Sequence, residues 1–135
     1  TAEFCNHYGY SPDESANAIL LEGKAESPIY ALCVVLATTR INVNKVARKR
    51  LGTRKASFAS PEVTKSLTGM EIGGVTPVGL PDNLPIWIDN LVMEAPKVII
   101  GAGSRDAKIY LAPDNLLRLP NTHVVEGLSM PIVNK

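Results

Sequence analysis

The sequence predicts an α+β fold, a mixed β-sheet of about six strands flanked by roughly four or five short helices. Strand-like apolar segments outnumber helical ones, and several neighbouring strands are joined directly rather than through a helix. The length of 135 residues fits one domain, residues 1–135, with its own core. An apolar fraction of 45% and a charged fraction of 20% are those of an ordinary globular protein.

The first third of the chain contains two short helices and two strands by this interpretation. Residues 1–8 predict a helix, and residues 11–14 (Ser-Pro-Asp-Glu) have the capping-box pattern that starts a second one. A strand then begins within residues 18–21. Residues 29–37 form an unbroken apolar, β-branched run that is typical of a central strand. At nine residues this run is too short to cross a bilayer, and we expect neither a membrane segment nor a secretory signal.

The remaining elements follow from capping residues and apolar patterns. Asn42 or Asn44 begins a helix that runs to about Leu51, and Ser60 begins another that runs to Leu67. A short strand at residues 55–59 separates the two helices. The other predicted elements are a strand at residues 84–92 that is interrupted near Asn90, strands at 97–101 and 108–111, a turn at 103–106, a helix at 114–119 and an edge strand at 124–125.

Residues 69–81, called the glycine loop below, are unusually rich in residues that control backbone conformation. Four of the ten glycines and two of the ten prolines fall within these thirteen positions. Glycine permits positive φ and close approach of another molecule, and proline stiffens the path between the glycines. The loop is either a structural connection or a concavity of backbone N–H groups that binds an anion, a ribose or an ester carbonyl.

The net charge of +1 conceals a strongly basic segment between residues 40 and 55. Seven of the fourteen Lys and Arg residues lie between Ser27 and Pro61, a stretch without a single Asp or Glu. Such a field attracts phosphate groups in a salt-dependent way. The alternative is a solvated helix face, but such a face normally carries acidic partners one turn away.

Several classes of site are excluded or disfavoured by composition. Two cysteines and two distant histidines make a metal centre or a disulfide scaffold improbable, and we predict no metal and no cofactor. The P-loop and nucleophile-elbow motifs are absent, and the aromatic fraction of 5% argues against base-stacking RNA modules. Cys33 has the setting of a small buried hydrophobe, and we expect a cytoplasmic protein.

What remains is a site of backbone amides and small polar groups. Such a site hydrolyses an activated ester by orienting a water molecule and donating N–H groups to the developing oxyanion. Asp89 is the best-placed carboxylate, although a buried Asp that accepts hydrogen bonds is the alternative. Asn17 precedes a strand and is unremarkable by itself.

Five segments in order resemble the YbaK/EbsC family, which includes the editing domain of bacterial prolyl-tRNA synthetases and its free-standing relatives. The most specific is Thr-Gly-x-x-Ile-Gly-Gly-Val-x-Pro-x-Gly at residues 68–79. The others are residues 1–3, 43–52, 84–89 and 101–103, so the resemblance covers nearly the whole chain.

The resemblance implies a barrel-like mixed sheet and a trans-acting aminoacyl-tRNA deacylase that removes a small amino acid such as Ala, Cys or Ser. It implies catalytic roles at the positions of Asn17, Gly101 and Asp89. It assigns substrate binding to Thr1, Gly73, Gly74, Thr76, Pro77 and Gly79, and acceptor-stem phosphates become the natural partner of Arg40, Lys45, Arg48 and Lys49. A synthetase is a further possible partner, and we expect a monomer or a weak homodimer.

One position departs from the family pattern. The family usually has Lys where this chain has Asn17, and the next lysine, Lys24, lies a strand's length away. An amide orients water but carries no charge. Three functions therefore remain open: a deacylase, a catalytically weak relative that binds tRNA ends or another adenosine-bearing ligand, and a hydrolase of a different activated ester.

Overall fold

A mixed five-stranded sheet forms the centre of the computed structural model, which describes residues 14–103 and 108–132. Its strands are β1 (Ala16–Gly23), β2 (Ile29–Leu36), β4 (Ala56–Phe58), β5 (Ile86–Asp89) and β8 (Thr122–Val125). Their order across the sheet is β4-β1-β2-β5-β8. β1 pairs antiparallel with β2 and β4, whereas β2–β5 and β5–β8 are parallel. The predicted mixed α/β architecture, with residues 29–37 at its centre, is confirmed.

Two small antiparallel sheets complete the strands. β3 (Thr39–Ile41) pairs with β9 (Ser129–Pro131), and β6 (Val98–Gly101) pairs with β7 (Lys108–Leu111). The main sheet meets the β6–β7 hairpin through one isolated parallel bridge, between Ser15 and Ile99. Over the described ranges the ladders form three separate sheets, so the expected barrel does not close.

The helices are short and follow their capping residues. Asn42 Oδ1 accepts from Lys45 N–H at 3.3 Å and precedes one wide π-helical turn, Val43–Ala47, which continues as α1 (Arg48–Leu51). Ser60 Oγ accepts from Val63 N–H at 3.1 Å at the start of α2 (Pro61–Thr68), which Gly69 ends at a φ of 75°. These starts and stops confirm the sequence prediction.

The strand predicted at residues 84–92 ends at the interruption that was predicted near Asn90, and only the strand assignment beyond that point is wrong. β5 ends at Asp89, and the chain turns directly into α3 (Asn90–Glu94). Leu91, Val92, Met93 and Glu94 suit a helix as well as a strand, and Val92 packs in the core. The predicted helix near residue 114 is a 3₁₀ segment, Pro113–Arg118. The helix predicted at residues 1–8 and most of both the helix start at 11–14 and the turn at 103–106 lie outside the described residues.

Side chains on the two faces of the main sheet form two separate apolar clusters. Along β1, Ala16 and Leu20 belong to the cluster that contains Val75 and Leu80 of the glycine loop. Leu21, together with half-buried Ile19, belongs to the cluster that contains Ala47 and Leu51. Because strand residues alternate between faces, the glycine loop covers one face and the basic helical segment covers the other.

No helix within the described part of the chain is long and apolar enough to span a membrane.

Candidate functional site

A cavity of about 240 Å³ opens where the glycine loop, β1 and the β6–β7 hairpin meet. It unites three of the predicted site residues, Asn17, Gly73 and Gly101, although they are far apart in sequence. The full lining consists of Ala16, Asn17, Ala18, Ile19, Ile72, Gly73, Val75, Gly101 and Lys108. The catalytic and binding roles of these residues remain predictions, but their proximity is a property of the fold.

The cavity lies along the part of β1 that β4 does not pair with. β4 pairs with Leu21–Gly23, whereas Ala16 to Ile19 line the cavity. The Leu20 carbonyl accepts from Ala59 N–H, and Lys24 N–H donates to the Lys55 carbonyl, both at 2.9 Å on the β4 side. Alternate residues of a strand direct their backbone N–H and C=O groups to the same side. Those of Ala18 therefore point to the same side of β1 as those of Leu20, where the cavity lies in place of β4. The site therefore offers backbone polar groups of the kind that composition predicted.

Backbone contacts fix the glycine loop against β6. Gly73 has a φ of 96°, a conformation that favours glycine, and Gly74 N–H closes a turn on the Glu71 carbonyl at 2.9 Å. The Gly74 carbonyl then accepts from Gly103 N–H at 3.0 Å. A Cβ atom on Gly101 would lie 2.5 Å from the Val75 carbonyl oxygen. Gly101 therefore permits the close approach of the loop that forms one wall of the cavity.

The remaining predicted substrate-binding residues support the loop rather than line the cavity. Thr76 is 5% exposed, and its Oγ1 accepts from Val78 N–H at 3.4 Å. Pro77 is buried, and Gly79 is exposed with a φ of 79°. Thr1 lies outside the described residues.

Asp89 lies at the end of β5 and is not among the residues that line the cavity. Its carboxylate is fully buried and accepts from Ser129 N–H at 3.3 Å on Oδ1 and from the Ser129 hydroxyl on Oδ2. These bonds connect β5 to β9 and match the structural alternative described above. A catalytic role for Asp89 is still only a prediction.

Lys108 is the lining residue that sequence reasoning missed. It begins β7, lies directly opposite Gly101 in the ladder and is half-buried. Lys24, which is the next lysine in the sequence after Asn17, follows the opposite end of β1 and is exposed. The sequence signal that could have found Lys108 is the pair of predicted strands on either side of residues 103–106. If these strands pair as a hairpin, Lys108 lies opposite Gly101.

The basic segment divides into free surface charges and charges with structural contacts. Arg40 on β3, Lys45 and Lys49 are exposed. The Arg48 guanidinium instead donates to the carbonyls of Asn44 at 2.9 Å and Thr53 at 3.1 Å. Arg50 Cζ lies 5.4 Å from the ring centroid of Trp87, within cation–π range. The helical segment covers the sheet face toward which Ile19 and Leu21 project.

Other nucleophile and metal chemistry finds no support in the described residues. No group of three His, Cys, Asp or Glu side chains there is arranged to hold a metal ion. Burial raises the pKa of Cys33 to about 12, so this thiol stays protonated at neutral pH. His123 is exposed and hydrogen-bonds to Asn121 at 3.0 Å, outside the cavity.

Known proteins resemble this chain in sequence. The family model described as an aminoacyl-tRNA editing domain matches residues 1–119. "Putative Cys-tRNA(Pro)/Cys-tRNA(Cys) deacylase EbsC" of Enterococcus faecalis is 27% identical over 104 residues, 77% of this chain and 62% of that protein. "Uncharacterized protein YwhH" of Bacillus subtilis is 32% identical over 108 residues, 80% of this chain and 66% of that protein. The chain thus spans slightly under two thirds of the length of both relatives.

The fold is also shared with a solved structure. The crystal structure of "a putative trans-editing enzyme for prolyl tRNA synthetase" superimposes with a TM-score of 0.79 at 27% identity. The superposition covers 92% of this chain and 76% of that one.

Proposed function

Because the chain belongs to the aminoacyl-tRNA editing domain family, we propose that it is a hydrolase that removes a wrongly attached small amino acid from tRNA. The bond cleaved is the ester between the amino acid and the 3′-terminal adenosine. The observation that carries this proposal is the cavity that gathers Asn17, Gly73 and Gly101 from three separate segments. These are positions to which the family resemblance assigns the substrate or the reaction.

The size of the cavity supports a small acyl group. Its volume of about 240 Å³ is below the range of about 300–1,000 Å³ that is usual for drug-sized ligands. An adjoining, largely apolar cavity of about 220 Å³ shares Ala18, Ile19, Ile72 and Val75 with it. An amino acid such as Ala, Cys or Ser suits this space, and the E. faecalis relative named for Cys-tRNA makes the cysteinyl ester the first to examine.

The chemistry that we propose depends on position more than on an acid–base pair. No His, Cys, Asp or Glu side chain of the described residues lines the cavity. The Asn17 amide is polar and uncharged, so it suits orientation of the attacking water or of the ester. Backbone groups of Ala18 and of the glycine loop surround the same space. Fixed dipoles of this kind stabilise a developing oxyanion without reorganisation during the reaction.

The basic segment is the proposed contact for the acceptor stem. Arg40, Lys45 and Lys49 present unburied charge, and phosphate contacts of this type position a nucleic acid without reading its sequence. Arg48 belongs to the same predicted set, with its guanidinium already bound to two carbonyls. A cytoplasmic location and association with a synthetase follow from the proposed substrate.

The second candidate function is a relative that binds tRNA ends without hydrolysing them. It is favoured by the neutral amide of Asn17, because Lys108 is the one ionisable residue among the described residues that line the cavity. Turnover by Asn17→Lys, with none by the parent, would support this alternative. Measurable turnover by the parent would exclude it.

The deciding experiment is deacylation of tRNA charged with Cys, Ala, Ser or Pro, measured against spontaneous hydrolysis in buffer. We expect the parent protein to accelerate the loss of at least one of these four esters. If all four esters decay at the buffer rate while the protein remains folded, the proposed function is wrong.

A further inference from the structure

The geometry of the β6–β7 hairpin brings a lysine into the cavity wall. Lys108 is the cross-strand partner of Gly101, and such partners project from the same face with Cβ positions about 5 Å apart. Gly101 lines the cavity and has no side chain to obstruct its partner. The side chain of Lys108 accordingly belongs to the lining, and the residue is half-buried there.

Lys108 supplies the cavity with its one ionisable side chain among the described residues. The other lining groups are the Asn17 amide, two glycines and apolar side chains. Within residues 14–103 and 108–132, the ion pair that forms is Lys65–Glu71 at 3.8 Å, on the surface. Among the described carboxylates, therefore, none forms an ion pair with Lys108, which adds a basic side chain to the lining of the cavity.

Ester hydrolysis places negative charge in such a cavity. Water adds to the carbonyl carbon, and the π electrons of the carbonyl move to its oxygen, which becomes an oxyanion. The carbonyl then re-forms as the bond to the ribose oxygen breaks. One proton of the water ends on that ribose oxygen, and the other is released as the amino acid becomes a carboxylate. A cation beside the carbonyl oxygen lowers the barrier because its attraction is strongest when the oxyanion forms.

We propose that Lys108 is a catalytic residue whose ammonium group stabilises this oxyanion. The inference rests on the proposed function, since it names the charge that this function needs. It also explains how a cavity with a neutral amide at Asn17 supports the reaction. The positive charge comes from the strand opposite Gly101 instead of from β1. The other anion within reach of such a lysine is a phosphate of the terminal nucleotide, and kinetics separate the two.

The test compares three variants on the ester that the parent hydrolyses fastest among Cys-, Ala-, Ser- and Pro-charged tRNA. Lys108→Met removes the charge and keeps most of the side-chain length, whereas Lys108→Arg keeps the charge. Lys97→Met removes an exposed lysine that precedes β6 and does not line the cavity, so it is the matched control. Circular dichroism and thermal unfolding establish that each variant is folded.

We expect Lys108→Met to lower the single-turnover rate constant at saturating protein roughly 100-fold, with tRNA affinity nearly unchanged. Lys108→Arg should keep most of the rate, and Lys97→Met all of it. An unchanged rate in Lys108→Met would overturn the inference and leave the proposed function intact. A loss of affinity with a normal rate at saturation would also overturn it, because it would place Lys108 on a phosphate. A parent without turnover would refute both.

A charge-relocation experiment adds a readout that a structural role would not move. Asn17 and Lys108 line the same cavity from different strands, so Asn17→Lys returns a cation to it. In the Lys108→Met background, Asn17→Lys should recover at least about tenfold of the lost rate. If Lys108 only stabilised the hairpin, a lysine introduced at position 17 on β1 would not restore the lost rate. No recovery in a folded double variant would contradict the proposal.

Discussion

The cavity beside β1 and the carboxylate at the end of β5 are two polar sites that differ in burial and in what surrounds them. Asp89 is fully buried, and Ser129 of the same chain donates to both of its oxygens. Asn17 and Lys108 are half-buried and face an open space of about 240 Å³. A buried polar group with internal partners stabilises the fold, whereas polar groups that face a cavity are placed to meet a ligand.

This difference changes the weight given to two predicted catalytic residues. By residue type Asp89 was the stronger candidate for a catalytic role, because it is a carboxylate at the end of a strand. Asn17 was an unremarkable amide in the sequence, and the fold brings it into the lining of the same cavity as Gly101. Position relative to a cavity, rather than residue type, separates the two.

The largest expected effect comes from closing the space that Gly101 leaves open. In Gly101→Ala the new Cβ would lie 2.5 Å from the Val75 carbonyl oxygen and 3.2 Å from its carbon, so the glycine loop must move. We expect kcat/KM for deacylation to fall roughly 100-fold, because small displacements of a binding wall have effects of that size. The control is Gly127→Ala, at a φ of 74° with no atom within 4 Å of the added Cβ. It strains the backbone without touching the cavity, and a folded Gly101→Ala with full activity would contradict the packing argument.

A second experiment examines the Asp89 side of the comparison. Ser129→Ala removes the hydroxyl that donates to the buried carboxylate, so the free energy of unfolding should fall by about 2 kcal/mol. The turnover number of the folded protein should not change. Chemical denaturation and deacylation kinetics measure the two quantities, with exposed Ser66→Ala as the control. A fall in kcat without a loss of stability would restore Asp89 to the reaction.

The same distinction applies to the basic segment. Exposed Lys45 and Lys49 are available to phosphates, whereas Arg48 binds two carbonyls. Replacing both lysines with Gln should weaken tRNA binding roughly tenfold and reduce the slope of log K against log salt by about 2. Arg48→Gln should mainly lower stability. Fluorescence anisotropy across a salt series measures the slope, and Lys97→Gln controls for net charge. An unchanged slope would exclude Lys45 and Lys49 from the interface.

The smallest expected effect concerns Cys33, a buried thiol that is not among the residues lining the cavity. Because burial raises its pKa from 9.0 to about 12, iodoacetamide at pH 8 should leave Cys33 unmodified in the native protein. The thiol contributes its full stabilisation below pH 9 and loses it as the pH rises toward 12, since the unfolded state ionises first. Peptide mapping by mass spectrometry checks the labelling against a denatured sample. Equal labelling in both samples would contradict the assigned burial.

Local signals predicted the parts of the fold that local physics determines. The cap at Ser60 was predicted and is confirmed, and of the two predicted candidates Asn42 and Asn44 it is Asn42 that caps its helix. The left-handed residues Gly52 and Gly69 end the two helices close to the predicted positions. The family resemblance is confirmed as well. The three-residue strands β3 and β9 were missed because each is too short for a periodic pattern, and they pair across most of the chain. The predicted mixed sheet is confirmed, but its strands do not close into a barrel, because strand partners, unlike strands, are not encoded locally.

The site divides along the same line. The grouping of Asn17, Gly73 and Gly101 was suggested by the family pattern and never by their spacing. Lys108 could not be singled out because its importance depends on the register that sets it opposite Gly101. A change of one residue in that register would direct its side chain to the other face of the hairpin.

The spread of the cavity residues along the chain has a consequence for the life of the protein. Its walls come from positions 17, 73, 101 and 108, so the wall formed by β6 and β7 is the last of them to be synthesised. A nascent chain released only as far as the glycine loop has β1 and Gly73 but lacks both residues of the β6–β7 wall. A chain that has been synthesised only as far as the glycine loop therefore lacks the complete cavity.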